Sequence, residues 1–231
     1  DAARADKKMK EIFVIPTTHH QNANYNSNDI AKLIITINPD VIFSELPKNW
    51  DEIKTNNVSQ DNQEDCAIKI FQEHKNVKIF NVDLPYRNEI AKSLDLYSFE
   101  SKIQSILFPE NSNNLTKLHE KLIEINNAIL FPEEKIKYKY LKSSRFKKMV
   151  RCKNRIMEKI VKKYHNKNSI YLDYKLSSYF HNNIREEIIV HNCLQVMRNY
   201  DRGVLLIGAE HINMINKINK IGKGFVIGRS F

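Results

Sequence analysis

The first third of the chain alternates between short apolar runs and amphipathic segments, and this alternation limits the possible folds more than any other feature. The apolar runs are EIFVIP (residues 11–16), PDVIFSELP (39–47) and NVKIFNVDLP (76–85). Between them lie SNDIAKLIITIN (27–38), with Ser27 as its expected N-cap, and EDCAIKIFQEHK (64–75), both with helical spacing of apolar residues. Strands that alternate with helices of this length form right-handed βαβ units. The pattern therefore predicts an α/β fold with a mainly parallel β-sheet flanked by helices.

The end of the chain repeats this pattern and contains all five glycines, from Gly203 to Gly228. VLLIG (204–208) and GFVIG (224–228) predict strands, and AEHINMINKIN (209–219) predicts a helix between them. The segment NNIREEIIVHNCLQVMRNYDRG (182–203) predicts a helix that ends at Gly203. Its expected apolar side consists of Ile184, Ile188, Cys193 or Leu194, Val196 and Met197.

The middle of the chain lacks strand-like runs. From about Glu89 to Lys167, SFESKIQSILF, NLTKLHEKLIEINNAIL and a long basic segment have helical periodicity. We therefore expect one α/β domain over residues 1–231, with a helical insertion at 89–167 and a disordered tail at 1–8. The segment SIYLDYKLSSYF (169–180) is compatible with either a strand or a helix.

The positive charge of the chain is concentrated in one segment. The formal net charge is +10, and residues 134–167 contain 14 Lys and Arg against 2 Asp and Glu, which is +12. The remainder is therefore about −2, the difference between +10 and +12. Such a segment is typical of a surface that binds nucleic acid or acidic lipid, or of a solvated helix face in a lysine-rich chain.

Composition narrows the class of protein. The chain has 42% hydrophobic and 28% charged residues, as globular proteins do. No apolar run approaches the about 18 residues of a transmembrane segment, and no signal-peptide pattern is present. Its three cysteines, Cys66, Cys152 and Cys193, are far apart and form no CxxC motif. We therefore expect a cytoplasmic protein with reduced thiols.

Polar residues follow each predicted strand at the point where it ends. In chain order they are Thr17, Thr18, His19 and His20, then Glu45, Asp83, and finally Glu210 and His211. The carboxyl ends of parallel strands share one edge of the sheet, where ligands bind. We therefore expect His19, Glu45, Asp83 and His211 to share one site. Each also has a structural alternative, since Asp83 can cap a turn and a histidine after a strand often only forms a hydrogen bond.

The residue types at this edge suit hydrolysis or group transfer. His19, Glu45 and His211 form a plausible ligand set for a divalent transition metal, which would acidify a bound water. Without a metal, a His–Glu pair can act as a general base. Arg185 opens the predicted helix of residues 182–203, where a cation opposes the helix dipole, so we expect it to pair with a site carboxylate or hold an anionic substrate. Glu186 is explained by the same dipole without any function.

The order of these motifs resembles the superfamily of TraB and TIKI proteins, which also includes erythromycin esterase-like enzymes and ChaN-like haem-binding proteins. Those proteins typically carry Gly-x-x-His after the first strand, Pro-Asp-x-x-x-x-Glu around the second, an Arg-bearing helix and a second Gly-x-x-His. Residues 208–211 match the last motif in full, and Pro39-Asp40 with Glu45 matches the second. The first motif differs, because Pro16 replaces its glycine. The similarity covers about residues 10–85 and 180–230.

The resemblance implies a site of His19, Glu45, Arg185 and His211 that hydrolyses an ester or peptide bond in a small-molecule or peptide substrate. In TIKI-like members a metal-dependent peptidase activity is associated with the two histidines, so Mn, Co or Zn is the expected metal. In esterase-like members the histidine and glutamate activate water. ChaN-like members bind haem, so a non-catalytic binder of haem or another anionic small molecule is the alternative. A toxin or effector domain of this fold is a further alternative. The candidate axial haem ligands are Tyr138, Tyr140, Tyr164 and His165.

Overall fold

A computed structural model describes residues 9–19, 25–50, 62–110, 115–130, 138–163, 169–222 and 224–228. The tail expected at residues 1–8 lies outside these ranges. The chain divides into two compact units, the first comprising Asp1–Pro85 and Glu186–Phe231, and the second comprising Tyr86–Arg185.

The elements follow one another in this order along the chain. The strands are β1 (Lys10–Thr17), β2 (Val41–Pro47), β3 (Lys78–Asp83), β4 (Arg202–Gly208) and β5 (Phe225–Ile227). The α-helices are α1 (Ser27–Ile37), α2 (Gln63–Gln72), α3 (Arg87–Ser93), α4 (Leu96–Leu107), α5 (Lys117–Leu130), α6 (Tyr138–Leu141), α7 (Ser144–Lys163), α8 (Ile170–Tyr179), α9 (Glu186–Val196) and α10 (Ile215–Ile221). A π-helical segment spans Phe180–Arg185, and 3-10 segments span Met197–Asn199 and Ala209–Met214.

The first unit is built on one sheet in which all described strand pairs are parallel. The strand order is β3-β2-β4-β1-β5. The predicted α/β fold with a parallel sheet and flanking helices is therefore confirmed. The central strand β4 is buried on both faces, with Val204, Leu205, Leu206 and Ile207 all 0% exposed, as expected where helices cover a parallel sheet.

The strand order decides which residues meet at the carboxyl edge of the sheet. Because β4 lies between β1 and β2, Thr17 of β1 is paired with Gly208 of β4, and Ser44 of β2 is paired with Leu206. The residues that follow these three strands are therefore neighbours, although they come from opposite ends of the chain.

The predicted helix end at Gly203 is wrong. Helix α9 ends at Val196, and Gly203 is the second residue of β4. A Cβ atom on Gly203 would lie 2.6 Å from Met197 Sδ and 2.8 Å from Phe43 Cε2. This position therefore needs glycine because two side chains pack directly against the strand, and not because a helix terminates there.

The predicted apolar side of the same helix is also partly wrong. Ile184 belongs to the π-helical segment and is 36% exposed. The buried apolar positions are Ile189, Val190, Cys193 and Met197. The extra residue in a π-helical turn rotates the following positions, so the spacing of a regular helix did not predict this face.

The described residues of the second unit form helices and no strands. Its core consists of Ile103, Leu107, Leu122, Ile156, Ile160, Val161 and Tyr174. The segment 169–180, for which the sequence allowed a strand or a helix, forms α8. The bounds 89–167 of the expected insertion stay a prediction. Among the described helices, none combines the length and apolar character needed to cross a membrane.

Helix α1 begins with a capping box, but its N-cap is Asn26 and not the predicted Ser27. The Asn26 side chain accepts hydrogen bonds from the backbone N–H groups of Asn28 and Asp29, and the Asp29 carboxylate accepts one from the Asn26 N–H. Ser27 is buried and donates its hydroxyl to the Gln63 carbonyl oxygen at 2.9 Å. Ser27 therefore joins α1 to α2 and does not cap α1.

The capping box gives a direct test of how α1 is stabilised. We expect Asn26→Ala to lower the free energy of unfolding by about 1 kcal/mol, because orphan N–H groups of the first turn lose their acceptor. Asn28→Ala is the matched control, since its exposed side chain lies two residues further on. Urea unfolding of both variants measures their free energies of unfolding. An equal loss of stability in the two variants would contradict Asn26 as the N-cap.

Candidate functional site

His211 lies between two buried carboxylates at the end of β4. It is carried by the 3-10 segment that follows Gly208. Its Nδ1 is 3.0 Å from Glu186 Oε1, and its Nε2 is 3.5 Å from Glu45 Oε1. The side chains of Glu45 and Glu186 are 7% and 9% exposed. Either carboxylate can accept a hydrogen bond from the imidazole, so the ring is held by acidic partners on both of its nitrogens.

Glu186 is a site residue that the sequence did not indicate as one. It is the first residue of α9, where the helix dipole alone accounts for an acidic residue. In the structure its Oε1 contacts His211, while its Oε2 lies 2.9 Å from Lys217 Nζ of α10. The second contact holds the carboxylate in the orientation that meets the imidazole. No spacing in the sequence links these three residues.

His19 has a carboxylate partner of its own. It follows β1 with a left-handed backbone conformation (φ 60°), and its Nδ1 lies 2.7 Å from Glu64 Oε1. The Thr17 hydroxyl forms a hydrogen bond with the same oxygen. Glu64 lies in the first turn of α2 and is 6% exposed, whereas the His19 side chain is 53% exposed. The sequence gives no sign that Glu64 is a site residue, because an acidic residue at the start of a helix is ordinary.

The partners of Glu64 favour its ionised form. Burial by itself raises the pKa of this carboxyl group, but the hydrogen bond and positive charge of His19 and the hydrogen bond from Thr17 outweigh burial and lower the pKa below the ordinary value of 4.5. Glu64 is therefore a carboxylate at neutral pH, able to orient the His19 ring. Its Oε2 is buried and has no hydrogen bond within the described part of the chain.

Gly208 allows the two histidine-bearing segments to come together. A Cβ atom on this residue would lie 2.5 Å from His19 Nε2 and 3.5 Å from Glu45 Oε2. Its own N–H donates to Glu45 Oε2 at 2.7 Å. The glycine that precedes the Glu-His pair is therefore needed because an imidazole and a carboxylate approach its backbone closely.

The remaining predicted site residues have different surroundings. Asp83 is buried, and its Oδ1 accepts a hydrogen bond from the Leu84 N–H at 2.7 Å, the turn-capping geometry considered for it. Glu210 is exposed. Arg185 belongs to the second unit, where its Nη1 is 3.3 Å from His181 Nδ1, so its role in substrate binding stays a prediction. His20, Tyr164 and His165 lie outside the described residues, as do positions 134–137 and 166–167 of the basic segment.

The metal site stays a prediction. Across the described ranges, no group of three or more His, Cys, Asp and Glu side chains is placed to hold a metal ion. The described geometry of His19, Glu45 and His211 instead consists of histidines paired with carboxylates. Such pairs can accept and donate protons.

Comparisons of the chain with models of protein families, with curated proteins and with solved structures find no match. The resemblance to the TraB, TIKI, erythromycin esterase-like and ChaN-like superfamily therefore rests on the motifs alone.

The pairing of Glu64 with His19 predicts a pH-dependent contribution to stability. At neutral pH, Glu64→Gln should lower the free energy of unfolding by about 1 to 3 kcal/mol, because a hydrogen bond to a charged group is lost. Since the folded pKa is depressed, the contribution of Glu64 is present above pH 4.5 and is lost as pH falls through the folded pKa. Denaturant unfolding of the unchanged chain and of Glu64→Gln should show that the difference between their free energies of unfolding shrinks as the pH falls from neutral. A difference that is constant with pH would contradict the pairing.

The contact between Gly208 and His19 can be tested without any activity. We expect Gly208→Ala to destabilise the protein by about 1 to 3 kcal/mol, because the added Cβ displaces the imidazole. In a chain that already carries His19→Ala, the same change should cost clearly less. Thermal and urea unfolding of the unchanged chain, the two single variants and the double variant measure this difference. If Gly208→Ala destabilises the chain equally with and without His19, the two residues are not in contact.

Proposed function

We propose that this chain is a hydrolase of ester or peptide bonds in which His211 removes a proton from the attacking water. The observation that carries the proposal is the position of the His211 imidazole between the buried carboxylates of Glu186 and Glu45, at 3.0 Å and 3.5 Å. A buried carboxylate on one ring nitrogen is a recurrent means of preparing the other nitrogen for proton transfer.

Glu186 sets the protonation of the imidazole. Its carboxylate can only accept, so a neutral His211 donates Nδ1–H to Glu186 and keeps a lone pair on Nε2. When Nε2 takes a proton from water, the imidazolium that forms is stabilised by Glu186 on one side and Glu45 on the other. Lys217 holds Glu186 in place during this change of charge.

Glu45 positions the attacking water at the carboxyl end of the sheet. Its Oε2 is bound by the Gly208 N–H, which leaves Oε1 directed towards His211 Nε2. A water molecule that contacts both Oε1 and Nε2 is held for deprotonation. The hydroxide equivalent then attacks the carbonyl carbon, and a tetrahedral intermediate forms.

His19 is suited to the second proton transfer. It is more exposed than His211, and its Nδ1 lies 2.7 Å from the ionised carboxylate of Glu64, which orients the ring. As the tetrahedral intermediate collapses, the bond from the carbonyl carbon to the leaving oxygen or nitrogen breaks. The leaving atom takes a proton from His19. At the end of the cycle His211 releases its proton to solvent and His19 takes up a proton from solvent, so both side chains return to their starting states.

The resemblance supports the same assignment, because its esterase-like members use a histidine and a glutamate to activate water. A divalent metal, if it binds to His19, Glu45 and His211, would supply further acidification of the water. The two proton transfers themselves need only the side chains of the protein.

The hydrolase proposal predicts a selective loss of activity. Among chromogenic ester and peptide substrates, assayed with and without added Mn²⁺, Co²⁺ or Zn²⁺, we expect at least one to be hydrolysed. His211→Ala should lower kcat/KM by a factor of about 10² to 10⁴, the usual contribution of a general base. Glu186→Gln should reduce kcat and change the pH profile, because the ring loses its charged partner.

His191→Ala is the control for the histidine variant, because His191 is an exposed residue of α9. It should retain full activity. A His211→Ala protein as active as this control would remove the proposed role of His211. No hydrolysis across the substrates and metals would contradict the hydrolase assignment itself.

A further inference from the structure

The second unit contains a cavity that the proposed hydrolase site does not use. It is open to solvent on one side, has a volume of about 420 Å³ and is lined by residues of α4, α7, α8 and the π-helical segment. Pockets for small molecules typically have volumes of about 300 to 1,000 Å³. The lining combines the apolar side chains of Ile103, Met157 and Tyr174 with polar side chains from all four elements.

A polar cluster centred on Glu100 forms one side of the cavity. Glu100 Oε1 lies 2.7 Å from His181 Nε2 and accepts a hydrogen bond from the Ser177 hydroxyl at 2.9 Å. Its Oε2 forms no hydrogen bond with any residue the structure describes. The cavity wall therefore presents a carboxylate with one oxygen already held and the other available to a ligand.

The hydrogen bonds of His181 define its protonation. Arg185 Nη1 is 3.3 Å from His181 Nδ1, and a guanidinium can only donate, so Nδ1 accepts and Nε2 carries the proton given to Glu100. Burial first of all lowers the pKa of His181, with Arg185 and Arg87 acting in the same direction and Glu100 opposing them. The imidazole is therefore neutral at pH 7.

The hydrogen bonds of this cluster hold its side chains in fixed orientations. Both ring nitrogens of His181 have partners, and the Ser177 hydroxyl donates to the Glu100 carboxylate. The π-helical turn that carries His181 and Arg185 is an irregularity frequently found at functional sites. It gives a second reason, separate from the cavity itself, to regard this wall as a site.

Charge restricts the class of ligand. The second unit, residues 86–185, contains 21 Lys and Arg against 10 Asp and Glu, a net charge of +11, which disfavours a cationic ligand. The carboxylate of Glu100 disfavours an anionic one. The amide side chains of Gln104 and Asn154 also line the cavity and can both donate and accept hydrogen bonds.

We propose that this cavity binds an uncharged small molecule with adjacent hydroxyl groups, of the size of a monosaccharide or a nucleoside. The hydroxyl groups donate to Glu100 Oε2, where they replace hydrogen bonds to water. The amides of Gln104 and Asn154 bind the remaining polar atoms of the ligand. The apolar part of the ligand packs against Met157, Ile103 and Tyr174.

The proposal is tested with the full chain and defined probes. Glucose, N-acetylglucosamine, adenosine and uridine are the uncharged probes, and putrescine and glucose 6-phosphate are the charged comparators. Ligand-observed NMR and calorimetry at millimolar concentrations should detect saturable binding of at least one uncharged probe. Glu100→Gln should weaken that binding by a factor of about 10 to 100, because hydrogen bonds to a charged acceptor are lost.

Glu120→Gln is the matched control, since Glu120 is an exposed residue of the same unit outside the cavity. It should bind the probe like the unchanged chain, and Asn154→Ala should bind it more weakly. Circular dichroism checks that each variant folds. Binding of charged comparators alone, binding equal in Glu100→Gln and Glu120→Gln, or no binding of any uncharged probe would each overturn the proposal.

Discussion

The parallel pairing of β1 with β4 is the constraint on which the rest of the first unit depends. It joins a strand near the beginning of the chain to one near the end, and its last pair is Thr17 with Gly208. Because β2 lies on the other side of β4, three strand ends meet at one edge. Side chains from distant parts of the sequence thereby become neighbours, and the polar residues that follow these strands form the candidate site.

The cost of burying charge explains how that site is organised. A buried carboxylate is tolerated only where donors or opposite charges replace the lost water. Glu186 meets this need with His211 and Lys217, and Oε1 of Glu64 meets it with His19 and Thr17. The same contacts that stabilise these carboxylates orient the two imidazoles. Stability and the proposed proton transfers therefore rest on the same hydrogen bonds.

The second unit also pairs a histidine with a carboxylate, here between helical elements. Its core is formed by apolar side chains of several helices, and its π-helical segment turns His181 towards Glu100. The basic helix α7 forms one side of a cavity. The polar lining of this cavity includes a carboxylate and several neutral amides. The two units thus present different kinds of polar site, the first built on paired charges and the second on one partly engaged carboxylate.

The sequence by itself determined the strands, the parallel sheet and the polar positions His19, Glu45 and His211, because hydrophobic periodicity and the ends of strands are local properties. It did not reveal Glu64 or Glu186 as partners, since an acidic residue in a first helical turn has an ordinary local explanation. It also assigned Gly203 to a helix end. These features depend on which side chains meet across the fold, and only the tertiary structure decides that, because side-chain packing and charge pairing act between residues far apart in the chain.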